Sequence, residues 1–236
     1  MTRSLVLSIL VLYTAAVLSG CVPSNDPTDN PIPEFTVLRT FYTPQNTSKV
    51  YVWKRTDAIS STYRYFECSY IGTGTNTYST THPVADLFSC VDSVSKSTTE
   101  LTTFISDTAI IEYKKVNDSI VNAYYILGSL LSKGNTWTVC NSFVTSNGAV
   151  VSIDASVEEY YSSTQVSGTQ YNDIYRVKFT VHSDSSKGIK PIEAEYQNGS
   201  SLSIYFAKLI GPIDKVAKDP NGTILWTEDL IETRNR

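Results

Sequence analysis

The second half of the chain alternates apolar and polar residues with a period of two. Tyr175, Val177, Phe179 and Val181 hold one phase, and Arg176, Lys178, Thr180 and His182 hold the other. Val151, Ile153, Ala155 and Val157 form a second apolar row, and Leu202, Ile204 and Phe206 a third. Successive side chains of a strand point to opposite faces, so this pattern predicts strands with one buried face. Turn signals separate the runs. Asn147-Gly148, Asn198-Gly199 and Asn221-Gly222 accept the positive φ angles of tight reversals, and Ser167-Gly168 and Lys187-Gly188 mark two more. Short loops join antiparallel neighbours, so residues 135–232 read as a meander of about six or seven strands.

The first half is less regular. Val50 to Trp53 and Tyr63 to Tyr70 predict a strand pair joined near residues 58–60. Val84, Leu87, Phe88 and Val91 fall at helical spacing, behind Thr81 as a cap and Pro83 in a first turn; they predict one helix over about 83–94. Strands resume at about 101–105 and 109–116. Residues 127–135 show no period, contain two glycines and read as a loop. The expected class is therefore mainly β: a curved antiparallel meander sheet, half-barrel or sandwich-like, with about one short helix.

The N-terminus follows a different pattern. Arg3, an apolar run from Leu5 to Val17, and then Leu18-Ser19-Gly20-Cys21 make a basic start, an apolar middle and small residues at a cleavage point. That is the layout of a secretion signal. The run is shorter than the about 20 apolar residues of a spanning helix. Leu-Ser-Gly-Cys resembles the lipobox of bacterial lipoproteins, in which a diacylglycerol thioether forms on the cysteine before cleavage. The resemblance makes Cys21 the expected lipidation site and a membrane, reached through that lipid, the expected partner. More than one acyl chain holds a protein firmly. Val22, rather than Asp, follows the cysteine, which leaves the outer membrane open as a destination in a diderm cell. Residues 22–35 are rich in Pro and polar side chains and read as a tether. The expected organisation is a signal over 1–20, the lipidated cysteine and tether over 21–35, and one β-rich extracytoplasmic domain over 36–236.

Charge and composition narrow the function. Removing residues 1–20 leaves 18 basic and 23 acidic residues, a net charge of −5, with no basic cluster; nucleic acid is not an expected partner. Abundant Ser, Thr and Tyr suit a sheet-rich protein outside the cytoplasm. Three further cysteines, Cys68, Cys90 and Cys140, are an odd number, so at least one stays outside any internal disulfide. The compartment permits one bridge. The sequence leaves open which pair forms it, or whether all three are buried thiols. Their spacings of 22 and 50 residues match no metal or redox motif.

No constellation carries chemistry. His82 and His182 are expected at the surface. The Gly-x-Ser-x-Gly and His-Glu-x-x-His patterns are absent. Glu158 and Glu159 are adjacent on a strand and expected on opposite faces, while Glu193 and Glu195 share a solvated face; neither pair suggests acid–base catalysis. Ile71-Gly72-Thr73-Gly74-Thr75 reads as a loop rather than a phosphate cradle. Asn-x-Ser/Thr triplets at Asn46, Asn117, Asn198 and Asn221 are background. Tyrosines recur, among them Tyr63, Tyr65, Tyr70, Tyr124, Tyr160 and Tyr175. They form either an exposed stacking stripe or ordinary strand residues, and strand propensity favours the second. No cofactor or metal is expected.

Two elements resemble a broad group of uncharacterised bacterial lipoproteins. Leu131-Ser132-Lys133-Gly134-Asn135-Thr136-Trp137 is similar to their Leu-x-x-Gly-x-x-Trp element, and Tyr205-Phe206-Ala207-Lys208-Leu209-Ile210-Gly211 to their Tyr-x-Ala-x-x-Ile-Gly element. Val166 to Tyr171 stands where the group has a Pro-Ala-Gly-Thr-Phe hairpin, with Pro and Ala replaced. The resemblance implies a curved antiparallel sheet on a lipid-anchored protein and carries over no catalytic residue. Three functional expectations follow. The first is a non-catalytic binding or structural module at the cell envelope, with an envelope protein as partner. The second is a carrier of a lipid or other apolar ligand in a groove between sheet and helix. The third is a hydrolase, for which the motifs are missing. A continuous apolar cavity above a few hundred Å³ marks a carrier, and a filled core marks a module.

Overall fold

The structure is a computed structural model that describes residues 38–42, 45–117, 120–128, 131–144, 149–184 and 197–236. Cys21, the tether, Asn147-Gly148, Lys187-Gly188, Glu193 and Glu195 lie outside the described residues. Phe35–Arg236 forms one compact unit. Among the described residues it holds every strand and all three apolar clusters, so it has the core of an independently folding domain.

Among the described residues there are twelve strands. The first six are β1 (Lys49–Asp57), β2 (Tyr63–Thr75), β3 (Val84–Asp92), β4 (Thr98–Ile105), β5 (Ala109–Asn117) and β6 (Ile120–Gly128). The second six are β7 (Thr136–Val144), β8 (Val150–Val166), β9 (Thr169–Asp184), β10 (Ser201–Ala207), β11 (Gly211–Lys218) and β12 (Ile224–Asn235). All belong to one antiparallel sheet in the order β6-β5-β4-β3-β2-β1-β12-β11-β10-β9-β8-β7. The sheet is thus two meanders of six, joined where β1 pairs with β12 from Lys49↔Asn235 to Asp57↔Trp226. It curls until its outer strands β6 and β7 meet across a narrow seam, where the Trp137 indole Nε1 donates to the Tyr125 carbonyl at 2.8 Å. The result is a nearly closed barrel.

The expected meander of residues 135–232 is β7 to β12, and the expected first pair is β1–β2. The inward rows are buried as their phase requires: Val151, Ala155, Val157, Val177, Ile204 and Phe206 are each at most 7 % exposed. The β8–β9 hairpin turns through Ser167 and Gly168, both at positive φ (47° and 84°), the geometry that matches the twist of paired strands. Gly222 at φ 85° does the same for the β11–β12 turn.

Two expectations are corrected. Residues 83–94 are not a helix: Val84–Asp92 is β3, paired with β2 on one side and β4 on the other. Phe88 and Cys90 stand on its inner face while Ala85, Leu87 and Val91 stand on the other. Apolar residues on both faces blur the alternation into a false helical period, and strand pairing decides. Residues 71–75 are not a loop but the end of β2. Their glycines mark a bulge, with the register shifting between Tyr70 and Gly72, and a close approach, since a Cβ on Gly74 would stand 2.8 Å from Leu87 Cδ1. Of the loop expected over 127–135, Leu127 and Gly128 instead close β6.

The short helix among the described residues lies elsewhere. Leu38–Phe41 is a 3-10 turn. Leu38, Phe41 and Tyr42 are buried in the main apolar cluster. Phe41 meets Tyr175 edge-on and Tyr42 meets Phe88. The Leu38 amide donates to the Asp107 carbonyl at 3.1 Å, and the Leu209 amide donates to the Thr40 carbonyl at 2.5 Å. These partners lie in the β4–β5 and β10–β11 turns, so the segment plugs the barrel at that end.

Candidate functional site

Twelve strands make a barrel wider than one of eight, whose interior side chains just suffice to fill it. The inward positions here include Thr99, Ser201 and Ala217, which are too small to close the difference. A cavity of about 570 Å³ remains, partly open to solvent. Each of the twelve strands contributes to its wall, so the cavity is the barrel lumen. Phe66, Phe88, Leu101, Ile126, Val139 and Ile153 make the wall largely apolar. Two of the three tryptophans, Trp53 and Trp226, face it.

The lumen is polar at its two ends, with opposite character. Under the plug, the Tyr42 hydroxyl meets Thr103 Oγ1 at 3.4 Å. Glu112 stands opposite Thr103 in the β4–β5 register. Burial, and then the Glu112 charge, push the Tyr42 hydroxyl well above its ordinary range. Nearby, Asp86 is buried and accepts from the Tyr70 hydroxyl at 3.2 Å and the Thr73 hydroxyl at 3.3 Å. The other end carries cations. Lys215, Glu228 and Arg55 stand side by side on β11, β12 and β1. Lys215 Nζ is 2.5 Å from Glu228 Oε1 and 4.5 Å from the centroid of the Trp53 ring. The Arg55 guanidinium lies 3.9 Å over Trp226. Lys218, exposed at the end of β11, completes the group.

The structure bonds Cys68 to Cys90, which face each other across β2 and β3 with Cα atoms 4.0 Å apart. The bridge forms part of the lumen wall. Cys140 lies buried outside it, and burial raises its thiol pKa.

On the barrel exterior, the expectation that Glu158 and Glu159 separate is corrected. A bulge between Val157 and Glu159 sets two residues of β8 against one of β9. Both carboxylates therefore reach Arg176, at 2.9 Å for Glu158 and 3.2 Å for Glu159. The Tyr161 hydroxyl also donates to Glu159; that bond, followed by Arg176, holds the carboxyl below its ordinary range. Lys178 Nζ also lies 3.8 Å from Glu158, so two acids and two bases form a charge-balanced clamp between strands. His182 is at the surface, 3.2 Å from Asp154. His82 is not: it is half-buried, stacked on Phe104 at 4.0 Å, with Nδ1 2.6 Å from the Tyr113 hydroxyl. The tyrosines form no single stripe. Tyr70 and Tyr175 are buried, Tyr124 faces the lumen, and Tyr63 and Tyr160 are exposed.

One acidic pair escaped the sequence reading. Asp214 and Asp229 stand opposite each other on β11 and β12. Burial, and then the Asp229 charge, push Asp214 up to about 7. The Ser167 hydroxyl at the β8–β9 tip donates to Asp229 at 3.3 Å. Nothing in the sequence marks this pair, because the register of β11 against β12 creates it. The inward placement of Arg55 had a signal, since it shares the phase of Tyr51 and Trp53. That of Lys215 did not, because a bulge near Pro212 breaks the phase of β11. Among the described residues, no three His, Cys, Asp or Glu side chains group so as to hold a metal ion.

No protein-family model matches the chain, and no curated protein matches it. Solved structures do. A putative lipoprotein from Parabacteroides distasonis ATCC 8503 matches with a TM-score of 0.55 at 14 % identity, over 83 % of this chain and 99 % of that one. A putative exported protein with a YmcC-like fold from Bacteroides fragilis NCTC 9343 matches with a TM-score of 0.51 at 9 % identity, again over 83 % and 99 %. At these identities the likeness is one of fold.

Proposed function

We propose that this chain is a lipid-anchored extracytoplasmic protein that works by binding, with an apolar ligand held in the barrel lumen. The lumen carries the reading. Its volume of about 570 Å³ falls within the range of about 300–1,000 Å³ typical of small-ligand sites. Its wall is mostly apolar with a few polar groups at each end, as such sites are. A purely structural module would have side chains filling that space. The groove expected between sheet and helix is replaced by a lumen inside the sheet, with the 3-10 segment as its stopper.

The signal layout and Cys21 support the anchor, and the names of the two structural neighbours support export. The resemblance to uncharacterised lipoproteins has support in how its elements are used. Gly134 and Gly211 stand at φ 88° and 95°, and Trp137 packs against the main core.

The test of the lumen is mass spectrometry of organic extracts from protein purified out of its native membrane. A co-purifying apolar compound, near one per chain, is expected. Repeatedly empty extracts would remove the carrier reading and leave only the module. Cys21→Ser tests the anchor. The variant is expected to lose its lipid and leave the membrane fraction; a variant that keeps a thioether-linked diacylglycerol refutes the lipobox reading.

A further inference from the structure

The lumen differs from end to end, and that polarity points to the chemistry of its ligand. We infer that it takes a single-chain amphipath with an anionic head, held tail-inward with the head beside Arg55 and Lys215. This rests on the lumen being a binding site. Three cations line the end away from the plug, Arg55, Lys215 and Lys218, against one acid, Glu228. That is a local positive excess in a chain of net charge −4. Lys215, Glu228 and Arg55 occupy one register row on three consecutive strands, so their charged groups converge on one patch of wall.

Glu228 pairs with Lys215, and the indole faces of Trp226 and Trp53 lie against Arg55 and Lys215 and hold them in place. Between this patch and the plug the wall is apolar, which suits a tail. At the plug the sign reverses. Glu112 lines the lumen there, and its charge and that of the buried Asp86 both act on Tyr42, so an anionic head entering first would meet like charge in a poorly solvated place. The energetically favoured orientation is one: tail toward Tyr42, head toward Arg55. An anionic head adds negative charge where cations outnumber acids in the wall, and a neutral apolar compound does not.

The experiment uses the mature chain without its acyl anchor, residues 22–236, delipidated, with emission of Trp53 and Trp226 as the readout. Three probes share a sixteen-carbon chain: palmitate, hexadecyl phosphate and hexadecanol. Both anions are expected to bind at least about tenfold more tightly than the alcohol, the factor that one charge-assisted hydrogen bond supplies. The stronger of the two anions tells a carboxylate source from a phosphate source. Arg55→Gln and Lys215→Gln are each expected to weaken the anions about tenfold and leave hexadecanol unchanged. Glu228→Gln is expected to tighten palmitate, a gain that damage to the barrel does not produce. If a lumen variant fails to fold by circular dichroism, Lys218→Gln at its exposed position replaces it, and weaker palmitate binding is again expected. Hexadecanol binding as tightly as palmitate, or palmitate affinity unchanged in every folded variant, overturns the inference while the lumen remains a ligand site. Failure of all three probes, together with empty extracts, overturns the site itself.

Discussion

At the scale of single residues, the carboxylates divide into two groups with opposite effects on stability. Asp57 and Asp92 accept backbone N–H bonds in their turns, Asp57 from Ile59 and Ser60, Asp92 from Val94 and Ser95. Those bonds hold both carboxyls below the ordinary range. Their contribution is present above the unfolded value of about 4 and is lost as the pH falls through the folded values. Asp214 is the reverse. Its folded pKa of about 7 means that the fold binds a proton which the unfolded chain releases near pH 4. Its contribution is present at the acid end and is lost as the pH rises toward 7. Asp214→Asn removes this loss. The variant is expected to melt at a higher temperature than the parent at pH 8 and to differ little at pH 4. Melting curves across that window check it, and equal melting temperatures at pH 8 would contradict it.

At the scale of elements, one turn design is used twice. Asp57-Ala58-Ile59-Ser60 links β1 to β2, and Asp92-Ser93-Val94-Ser95 links β3 to β4. In each, the Asp carboxylate accepts from the amides two and three residues on, and the fifth residue, Ser61 or Lys96, stands in the left-handed region at φ 54° or 58°. A backbone bond then closes the loop, Asp57 to Thr62 in one and Asp92 to Ser97 in the other. Asx chemistry makes this economical, since the side chain supplies the acceptor that a loop lacks. Each copy leaves one β-branched residue in solvent, Ile59 at 79 % and Val94 at 70 % exposed, at the end of the barrel where Arg55 stands. The β8–β9 hairpin works on a longer range. Its strands run 17 and 16 residues, the bulge at Glu159 re-aims its outer face, and its tip reaches Asp229 on β12. Register shifts recur in seven of the strand pairings, and a bulge of this kind bends its strand.

At the scale of the molecule, closure is the decisive event. Ten sequence-adjacent strand pairs are local hairpins, but the β1–β12 ladder joins the two ends of the chain, and β6 and β7 meet without a ladder. The seam rests on Trp137. Its ring is packed so closely against Gly128 that a Cβ there would stand 3.3 Å from Cδ1. Gly128→Val is therefore expected to push the indole off the Tyr125 carbonyl and loosen the seam. An overpacked core position of this kind costs about 1–3 kcal/mol. Denaturant melting is expected to show that loss, with Trp137 emission shifted to the red. A variant that melts like the parent with unshifted emission would show that the seam does not depend on the indole. The lumen's capacity to hold a ligand belongs to this scale too, because it follows from strand number and not from any one residue.

Much of this was readable along the chain. Strand phase is a local property: Tyr175, Val177, Phe179 and Val181 declare an inner face without knowing their neighbours. The turn pairs Ser167-Gly168 and Asn221-Gly222 declare reversals in the same way, and together they determined an antiparallel meander. Where both faces of a strand carry apolar residues, as in β3, or glycines sit inside it, as at Gly72 and Gly74, the local pattern misled. The candidate site was barely legible. Cys68 meeting Cys90, Asp214 meeting Asp229, and Lys215, Glu228 and Arg55 lining up in one row all depend on register between strands far apart in sequence or shifted by bulges. So does the cavity, since twelve strands that curl into a barrel enclose more space than their inward side chains fill. The sequence by itself determined strands and turns, because each rests on neighbouring residues. Only the tertiary structure decided that the sheet closes, what its interior holds apart, and which charges face one another there.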